Sequence, residues 1–392
     1  MTYKTIDDLR KEILAEDPSF IEEINKHKNN IGYLNHIDLI CLDEVPPKNQ
    51  PWLWPGVIPL NAFTLFAGVG GLGKSQLLMF IAAAVSTGKP FRAGGLEHQL
   101  PQGSVLILTG EDSAKYSLSP RLRALNADLS KIHLIKSVAD ERMSHRRRAM
   151  ALDQDLLLLR KVIDDLKNVK GQTVKLIIVD PIVNFSGKTR DYINSEVSNF
   201  LYHLSELADE YELSFILNKH LRKKDSMGAG SAIDEIAGSH AWANTARQVW
   251  IICRDHEDKN KILFLDGKSN IKKQMNGFAF NIKSVQILSD SETINSSKIE
   301  WTDENVTISP DEAVSEQKYE KSKIQTAITF IRQYLIENGQ SLFSHIKEKA
   351  LKKGISDITF MRAAREFEQT EKQNLIISRG VKNAKIYQLE DE

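Results

Sequence analysis

Cysteine is nearly absent from this chain. Its 392 residues include two, Cys41 and Cys253, far apart and outside any CxxC spacing, which excludes a disulfide framework and a cysteine zinc site. Nor does any run of about 18 uncharged apolar residues occur, so no segment is expected to span a membrane. The opening residues Met1-Thr2-Tyr3-Lys4-Thr5-Ile6-Asp7-Asp8 place acids where a secretory leader would be apolar. A reducing cytoplasm is the expected setting. Charge of one sign is also missing: 52 Lys and Arg balance 52 Asp and Glu. The balance is not local, however. From Lys321 to Leu389 there are 13 cationic residues against 6 acidic ones, so anion binding, if present, belongs to particular segments.

Repeats of 20 to 50 residues are lacking too, and the chain divides by pattern into four parts. Residues 1–50 hold an amphipathic stretch from 6 to 27 and then a Pro-rich lead-in with Trp52 and Trp54 just beyond it. From Ala62 short apolar runs alternate with helical stretches, as a parallel sheet requires. The expected buried strands are 62–67, 104–109, 132–136, 174–180 and 213–218. Three more runs, 248–253, 261–265 and 277–282, lack long helices between them and read as hairpins or an antiparallel extension. Residues 286–320 are polar and weakly patterned and read as a linker, with one strand at 299–301. Residues 321–392 then read as helix, helix, a helix capped by Ser356, and a two-stranded ribbon.

The strongest chemical signal is Gly68-Val69-Gly70-Gly71-Leu72-Gly73-Lys74-Ser75, placed between an apolar strand and an apolar helix. Gly68, Gly70, Gly71 and Gly73 let backbone N–H groups turn inward around a phosphate, and the helix N-terminus adds partial positive charge. Lys74 supplies a full charge to the β and γ phosphates, and the Ser75 hydroxyl completes a Mg²⁺ shell. ATP and Mg²⁺ are therefore the expected ligands. Two acids stand at strand ends downstream. Glu111 follows the run Val105–Thr109, at the sheet edge where ligands sit, and suits a general base for an attacking water; a helix cap by Glu111 or Asp112 is the competing reading. Asp180 ends the apolar run 174–180, a costly place for an acid unless it serves a cation, so it is the expected second Mg²⁺ contact.

With these residues in hand, a resemblance becomes specific. The segments Trp54-Pro55-Gly56-Val57-Ile58-Pro59, Gly68 to Ser75, Leu108-Thr109-Gly110-Glu111-Asp112, Ile178-Val179-Asp180-Pro181, Asn218-Lys219-His220 and Ala237 to Arg247 resemble the RecA-type ATPases related to the plasmid-replication helicase RepA. The likeness covers roughly residues 51–285. It implies a RecA-like α/β core with a mainly parallel sheet, assembled as a homohexamer with ATP between subunits. It implies that His220 senses the γ-phosphate and that Arg247 reaches the neighbouring subunit's nucleotide. Related hexameric helicases carry a Lys-x-Arg pair where this chain reads Lys268-Ser269-Asn270, so only Lys268 is kept for that nucleotide contact.

DNA is the expected partner, single-stranded in a central channel. Arg222, Lys223 and Lys224, followed by small residues, suit a phosphate-tracking loop, although a plain solvated loop fits them nearly as well. The run Arg142 to Arg148 reads as a solvated helix face. The C-terminal segment resembles a small winged-helix domain. Residues 357–369 would form its recognition helix, burying Ile358, Met361 and Phe367 while Arg362 and Arg365 face out, and Lys382 would sit on the wing. Winged helices also serve as protein-binding modules, and that alternative stays open. The function expected is ATP hydrolysis coupled to DNA unwinding in plasmid or phage replication. The alternative is a RecA-like ATPase that loads, remodels or regulates without unwinding.

Overall fold

Strands that are apolar at nearly every position need cover on both faces, and this chain provides two buried layers. The computed structural model describes residues 32–34, 37–139, 147–222, 231–289, 292–371, 375–379 and 384–389. The chain falls into two units, Met1–Gln50 and Pro51–Glu392, each taken by itself. In the first, Gly32–Leu34 and Ile37–Leu39 pair antiparallel ahead of a 3₁₀ turn at Leu42–Glu44. The helices expected between residues 6 and 27 lie outside the described residues.

The second unit is built on a nine-stranded sheet. Its strands in chain order are β1 (Ala62–Gly68), β2 (Ser104–Thr109), β3 (Ile132–Leu134), β4 (Val174–Asp180) and β5 (Ser214–His220). They continue with β6 (Gln248–Arg254), β7 (Lys261–Ser269), β8 (Phe278–Ser289) and β9 (Glu292–Trp301). Across the sheet the order is β9-β8-β7-β6-β1-β5-β4-β2-β3. The six strands from β6 to β3 in that order are parallel, and β7, β8 and β9 extend the sheet antiparallel. The run 248–253, expected among the antiparallel strands, thus belongs to the parallel set beside β1, because the short helix Ala241–Thr245 supplies its crossover.

Side-chain alternation along each strand sorts residues between the layers. Phe63, Leu65 and Ala67 of β1 enter one layer with Leu106, Ile177, Phe215 and Val249, while Phe66 enters the other with Ile107, Ile178, Ile216 and Trp250. Helix α1 (Lys74–Thr87) covers the second layer, followed in the chain by the short α2 (Ser119–Ala124). Helices α3 (Leu156–Lys170) and α4 (Asn194–Glu210) cover the first, and α5 (Ala241–Thr245) joins them through Trp242. The lead-in is not merely extended chain. Trp52–Trp54 pairs with Ile58–Pro59, and Trp54 is fully buried against Phe91, Phe278 and Trp301.

The stretch 286–320, read as a linker, is largely ordered secondary structure. It contains the end of β8, the whole of β9, and the start of helix α6 (Pro310–Asn338). Ser309 caps α6 by accepting the Glu312 N–H at 3.2 Å, with Pro310 at the first turn, a sequence signal that the surrounding polar residues obscured. Ala313 and Val314 of α6 are buried beside the sheet, and Ala327, Ile331 and Leu335 of the same helix enter a separate core.

That separate core is completed by β10 (Ser341–Leu342), α7 (Phe343–Lys352), α8 (Asp357–Thr370), β11 (Leu375–Arg379) and β12 (Lys385–Leu389), with a sheet ordered β10-β12-β11. The expected orientation of α8 needs correction. Its buried stripe is Phe360, Ala363, Ala364 and Phe367, a three-and-four spacing that leaves Ile358 66% and Met361 36% exposed. Arg365 is exposed and Arg362 half-buried, while Lys382 lies outside the described residues. Arg147 and Arg148, expected on a helix face, instead form a short strand with Val138–Ala139, and Arg148 grips Asp155 through two bonds of 2.6 and 2.7 Å. The rest of that charge run, Arg142 to Arg146, lies outside the described residues.

Trp250 shows how tightly the second layer is filled. It is wholly buried, stacks on Phe264 at 4.2 Å, and donates its indole N–H to the Val57 carbonyl at 2.9 Å. Trp250→Ala should therefore cost roughly 3–5 kcal/mol through a cavity and an orphaned carbonyl, read as a lower denaturant midpoint by circular dichroism.

Candidate active site at the carboxyl edge of the sheet

A parallel strand delivers its last residue to the sheet's carboxyl edge, and three neighbouring strands here end in functional groups. β1 ends at Gly68, β5 at His220, and β4 at Asp180, with His220 in register with Gly68. The loop that follows β1 turns through left-handed glycines, Gly71 at φ 77 and Gly73 at φ 82. Gly68 is required for a different reason: a Cβ there would stand 2.4 Å from the Ile252 carbonyl oxygen of the adjacent β6. Gly70 lies against the His220 ring, to which a Cβ would make an ordinary 4.0 Å contact. Gly73 N-caps α1 without any side-chain contribution, so the N–H groups of the first turn, unsatisfied within a helix, have no side-chain cap.

Lys74 is almost completely buried, at 4% exposure. Its ammonium donates to the carbonyls of Gly68 at 2.8 Å and Val69 at 2.9 Å and lies 3.4 Å from His220 Nδ1. Burial pulls its pKa down to about 8, against the opposing fields of Asp180 and Glu111. The same neighbourhood lowers the pKa of His220, first by burial and then by the Lys74 cation, so the ring is held neutral.

Ser75 donates its hydroxyl to Asp180 Oδ2 at 2.6 Å, and the Asn218 amide donates to Asp180 Oδ1. The carboxylate is thereby oriented rather than left as an isolated buried charge. Mg²⁺ asks for hard oxygen donors. Ser75 and Asp180 present two side by side, so the residues present fit that ion, while the glycine loop and Lys74 fit a nucleotide's phosphates. Glu111 stands just past β2, exposed, and its charge is felt at both Lys74 and His220. The competing cap role falls elsewhere: Asp112 bonds Arg121 at 3.0 and 3.1 Å, and Ser113 accepts the Tyr116 N–H.

Sequence reasoning gave no role to Asn218 or Lys219, two polar residues inside a buried strand. Asn218 orients the Asp180 carboxylate. Lys219, 3% exposed, pairs with Asp191 at 2.6 Å and lies 4.2 Å above the Trp242 ring. Its pKa is lowered by burial, opposed by Asp191. Asp191 also accepts the Ser239 N–H through its carbonyl at 2.8 Å, so the segment leading into α5 is tied to the end of β5. The signal for both was a polar pair directly following the apolar run Phe215–Leu217 in a buried strand.

Two expected site residues stand apart from this cluster. Arg247 precedes β6, whose Gln248 pairs with Thr64 while Ile252 pairs with Gly68. Arg247, five residues before Ile252, thus lies about 16 Å from the level of Gly68 at strand rise, toward the opposite edge of the sheet, where it is exposed. Lys268 sits beside it, its pKa lowered by burial and then by Arg247, and it donates to the carbonyls of Ala243 and Asn244, both at 2.8 Å. It thus caps the end of α5, and within one chain it does not join Lys74 around a nucleotide. Arg222 is held by its own loop, its guanidinium on the Gly238 carbonyl and its N–H on the Glu235 carbonyl at 2.6 Å. Lys223 and Lys224 lie outside the described residues.

Residues 35–226 match a family model described as an AAA domain. The match takes in the glycine loop, Glu111, Asp180 and His220 and stops before Arg247. No curated protein matches the chain. Fold, site and family match agree on the coarse statement: this is a P-loop domain of ATPase type, with a RecA-like α/β core. Among the described residues, no helix is long and apolar enough to cross a membrane.

The titration of Lys74 gives a test with a definite sign. Phosphate needs the protonated amine, and its negative charge raises the amine's pKa on binding. Nucleotide affinity should therefore fall as pH rises through about 8, with a proton taken up on binding above that pH. Calorimetry in buffers of different ionisation enthalpy measures both.

Proposed function

We propose that the chain is an ATPase that works as a ring, hexameric in its active form, and couples ATP hydrolysis to unwinding DNA in the manner of the RepA-like helicases of plasmid or phage replication. One observation carries this reading. Lys74, Ser75, Glu111, Asp180 and His220 gather at one edge of the sheet, while Arg247 stands exposed about 16 Å away along the strands. An arginine in that place is useful to a nucleotide held by a second subunit.

In this reading the glycine loop and Lys74 bind the phosphates and hold them in line. Ser75 and Asp180 would hold Mg²⁺, which would supply charge neutralisation to the phosphates. Glu111 takes the proton of the water that attacks the γ-phosphorus as the bond to the β-phosphate oxygen breaks. His220, neutral and beside Lys74, reports the γ-phosphate to the segment after β5. Arg247 from the neighbour neutralises charge on the transferring group. Lys268 serves by positioning α5, the helix that leads into Arg247.

The order helix, strand, helix, helix, strand, strand from α6 to β12 supports a winged-helix domain. Arg362, Arg365 and Lys382 would meet DNA phosphates there, as Arg222, Lys223 and Lys224 would in the ring's channel. The exposed Ile358 and Met361 on α8 favour a second reading for that domain, contact with a protein partner. A loader or remodeller that hydrolyses ATP without unwinding is the corresponding alternative for the whole chain.

Glu111→Gln should lower turnover about 10²–10⁴-fold while nucleotide still binds. Arg247→Ala should lower it about 10³–10⁵-fold. Mixing Arg247→Ala with Lys74→Ala should restore part of the turnover, because mixed rings contain sites with an intact loop from one subunit and an intact arginine from the other. Failure of that complementation in assembled protein would remove the shared site. Strand displacement on a forked duplex separates the helicase from the loader.

A further inference from the structure

The flank of β1 that faces away from the catalytic groups is covered by a part of the sheet to which nothing has yet been assigned. β8 pairs with β7 from Phe278 to Asn281, then continues to Ser289 with β9 as its partner. Lys261, the residue of β7 opposite Asn281, stands near the carboxyl end of the neighbouring β6. The β8–β9 ribbon therefore rises past the same edge that carries the phosphate loop.

One face of the ribbon meets that loop. Ile282 pairs with Ile299 and Ser284 with Ser297, so these four side chains share a face with Phe280 and Trp301. Trp301 packs on Phe80 of α1, with ring centroids 5.6 Å apart. A Cβ on Gly73 would lie 2.4 Å from Ile282 Cδ1, so the isoleucine rests directly on the last glycine of the loop. One turn further along, the Gln76 amide donates to the Ser297 hydroxyl at 2.6 Å; Gln76 is 7% exposed. Ile282 keeps 38% of its surface exposed beside the loop.

The direction of a bound nucleotide follows from the strand order. Asp180, His220 and Glu111, which serve the γ-phosphate, belong to β4, β5 and the end of β2, on one side of β1. The nucleoside is attached at the other end of the phosphate chain, so it leaves toward the opposite side, where β6, β7 and the ribbon lie. An exposed aliphatic side chain held there against the loop is a surface on which a ribose and a base can bury area.

We infer that the β8–β9 ribbon is the outer wall of the nucleotide pocket, with Ile282 the residue on which the nucleoside packs and the Gln76–Ser297 hydrogen bond the latch that holds the wall in place. The inference rests on the nucleotide-binding reading of the loop. An aliphatic wall buries either purine, so ATP and GTP should depend on it equally, and inorganic tripolyphosphate, which has no nucleoside, should not depend on it.

The test is binding by the full chain, using a fluorescent ATP analogue with ATP, GTP and inorganic tripolyphosphate as competitors. Ile282→Ala should weaken ATP and GTP by roughly five- to tenfold, leaving tripolyphosphate unchanged. Ile282→Val, the milder change, should give about a twofold loss with the same selectivity, and Ser297→Ala a loss in the same direction. Unchanged ATP affinity in both isoleucine variants, or tripolyphosphate weakened in step with ATP, overturns the inference. Failure of the underlying reading looks different: the unaltered chain would bind neither ATP nor tripolyphosphate, or Lys74→Ala would bind both as well as the unaltered chain does.

Discussion

The Lys74 ammonium is the charge around which the carboxyl edge is arranged. Taking an amine out of water costs several kcal/mol unless its surroundings replace the lost solvation. Two backbone carbonyls, at 2.8 and 2.9 Å, supply part of that replacement. The fields of Asp180 and Glu111 supply more, and His220 answers by staying neutral. Asp180 in turn would be an unsupported buried anion without the Ser75 hydroxyl and the Asn218 amide. Removing any one of these groups leaves another exposed to the same desolvation cost, so the cluster is interdependent rather than a collection of separate ligands.

Strand order turns that cluster into a directional site. β1 lies in the middle of the sheet, with β5, β4 and β2 on one side and β6, β7, β8 and β9 on the other. Ionisable groups concentrate at the strand ends of the first side. The second side brings aliphatic and aromatic residues against α1, among them Ile282, Ile299 and Trp301. The asymmetry is a result of connectivity: crossovers through α3 and α4 place polar strand ends in series, while hairpin connections carry β7 to β9 outward.

The chemistry of this site was legible in the sequence where spacing is rigid. The glycine loop has one workable geometry, and an acid ending a wholly apolar strand announces itself, so Lys74, Ser75 and Asp180 could be paired before any coordinates. Glu111 was legible as the acid past a strand, though not that Ser113 would do the capping while Asp112 bonds Arg121. Where side-chain pattern was thin, the reading failed. β8 and β9 carry Ser, Asn, Lys and Glu on much of both faces, because the ribbon leaves the sheet and is solvated, and polar strands look like linkers. In α8 the phase was misjudged because alanines at 363 and 364, small but buried, carry the stripe that Ile358 and Met361 seemed to carry. Long-range partners such as Lys219 with Asp191 and Trp242 have no local signature at all.

Helix α6 links the two cores with a single stiff element. Its 29 residues run from Pro310 to Asn338, about 43 Å of continuous backbone. Near its start, Asp311 accepts the Ala232 N–H at 2.5 Å, on the segment that returns from Arg222 toward α5. Near its end, Ile331 and Leu335 are locked into the C-terminal core. Geometrically this is a lever: a tilt of about 5° at the sheet end displaces the far end by roughly 4 Å over that length. The C-terminal core cannot move independently of the segment after β5 without bending or breaking that rod.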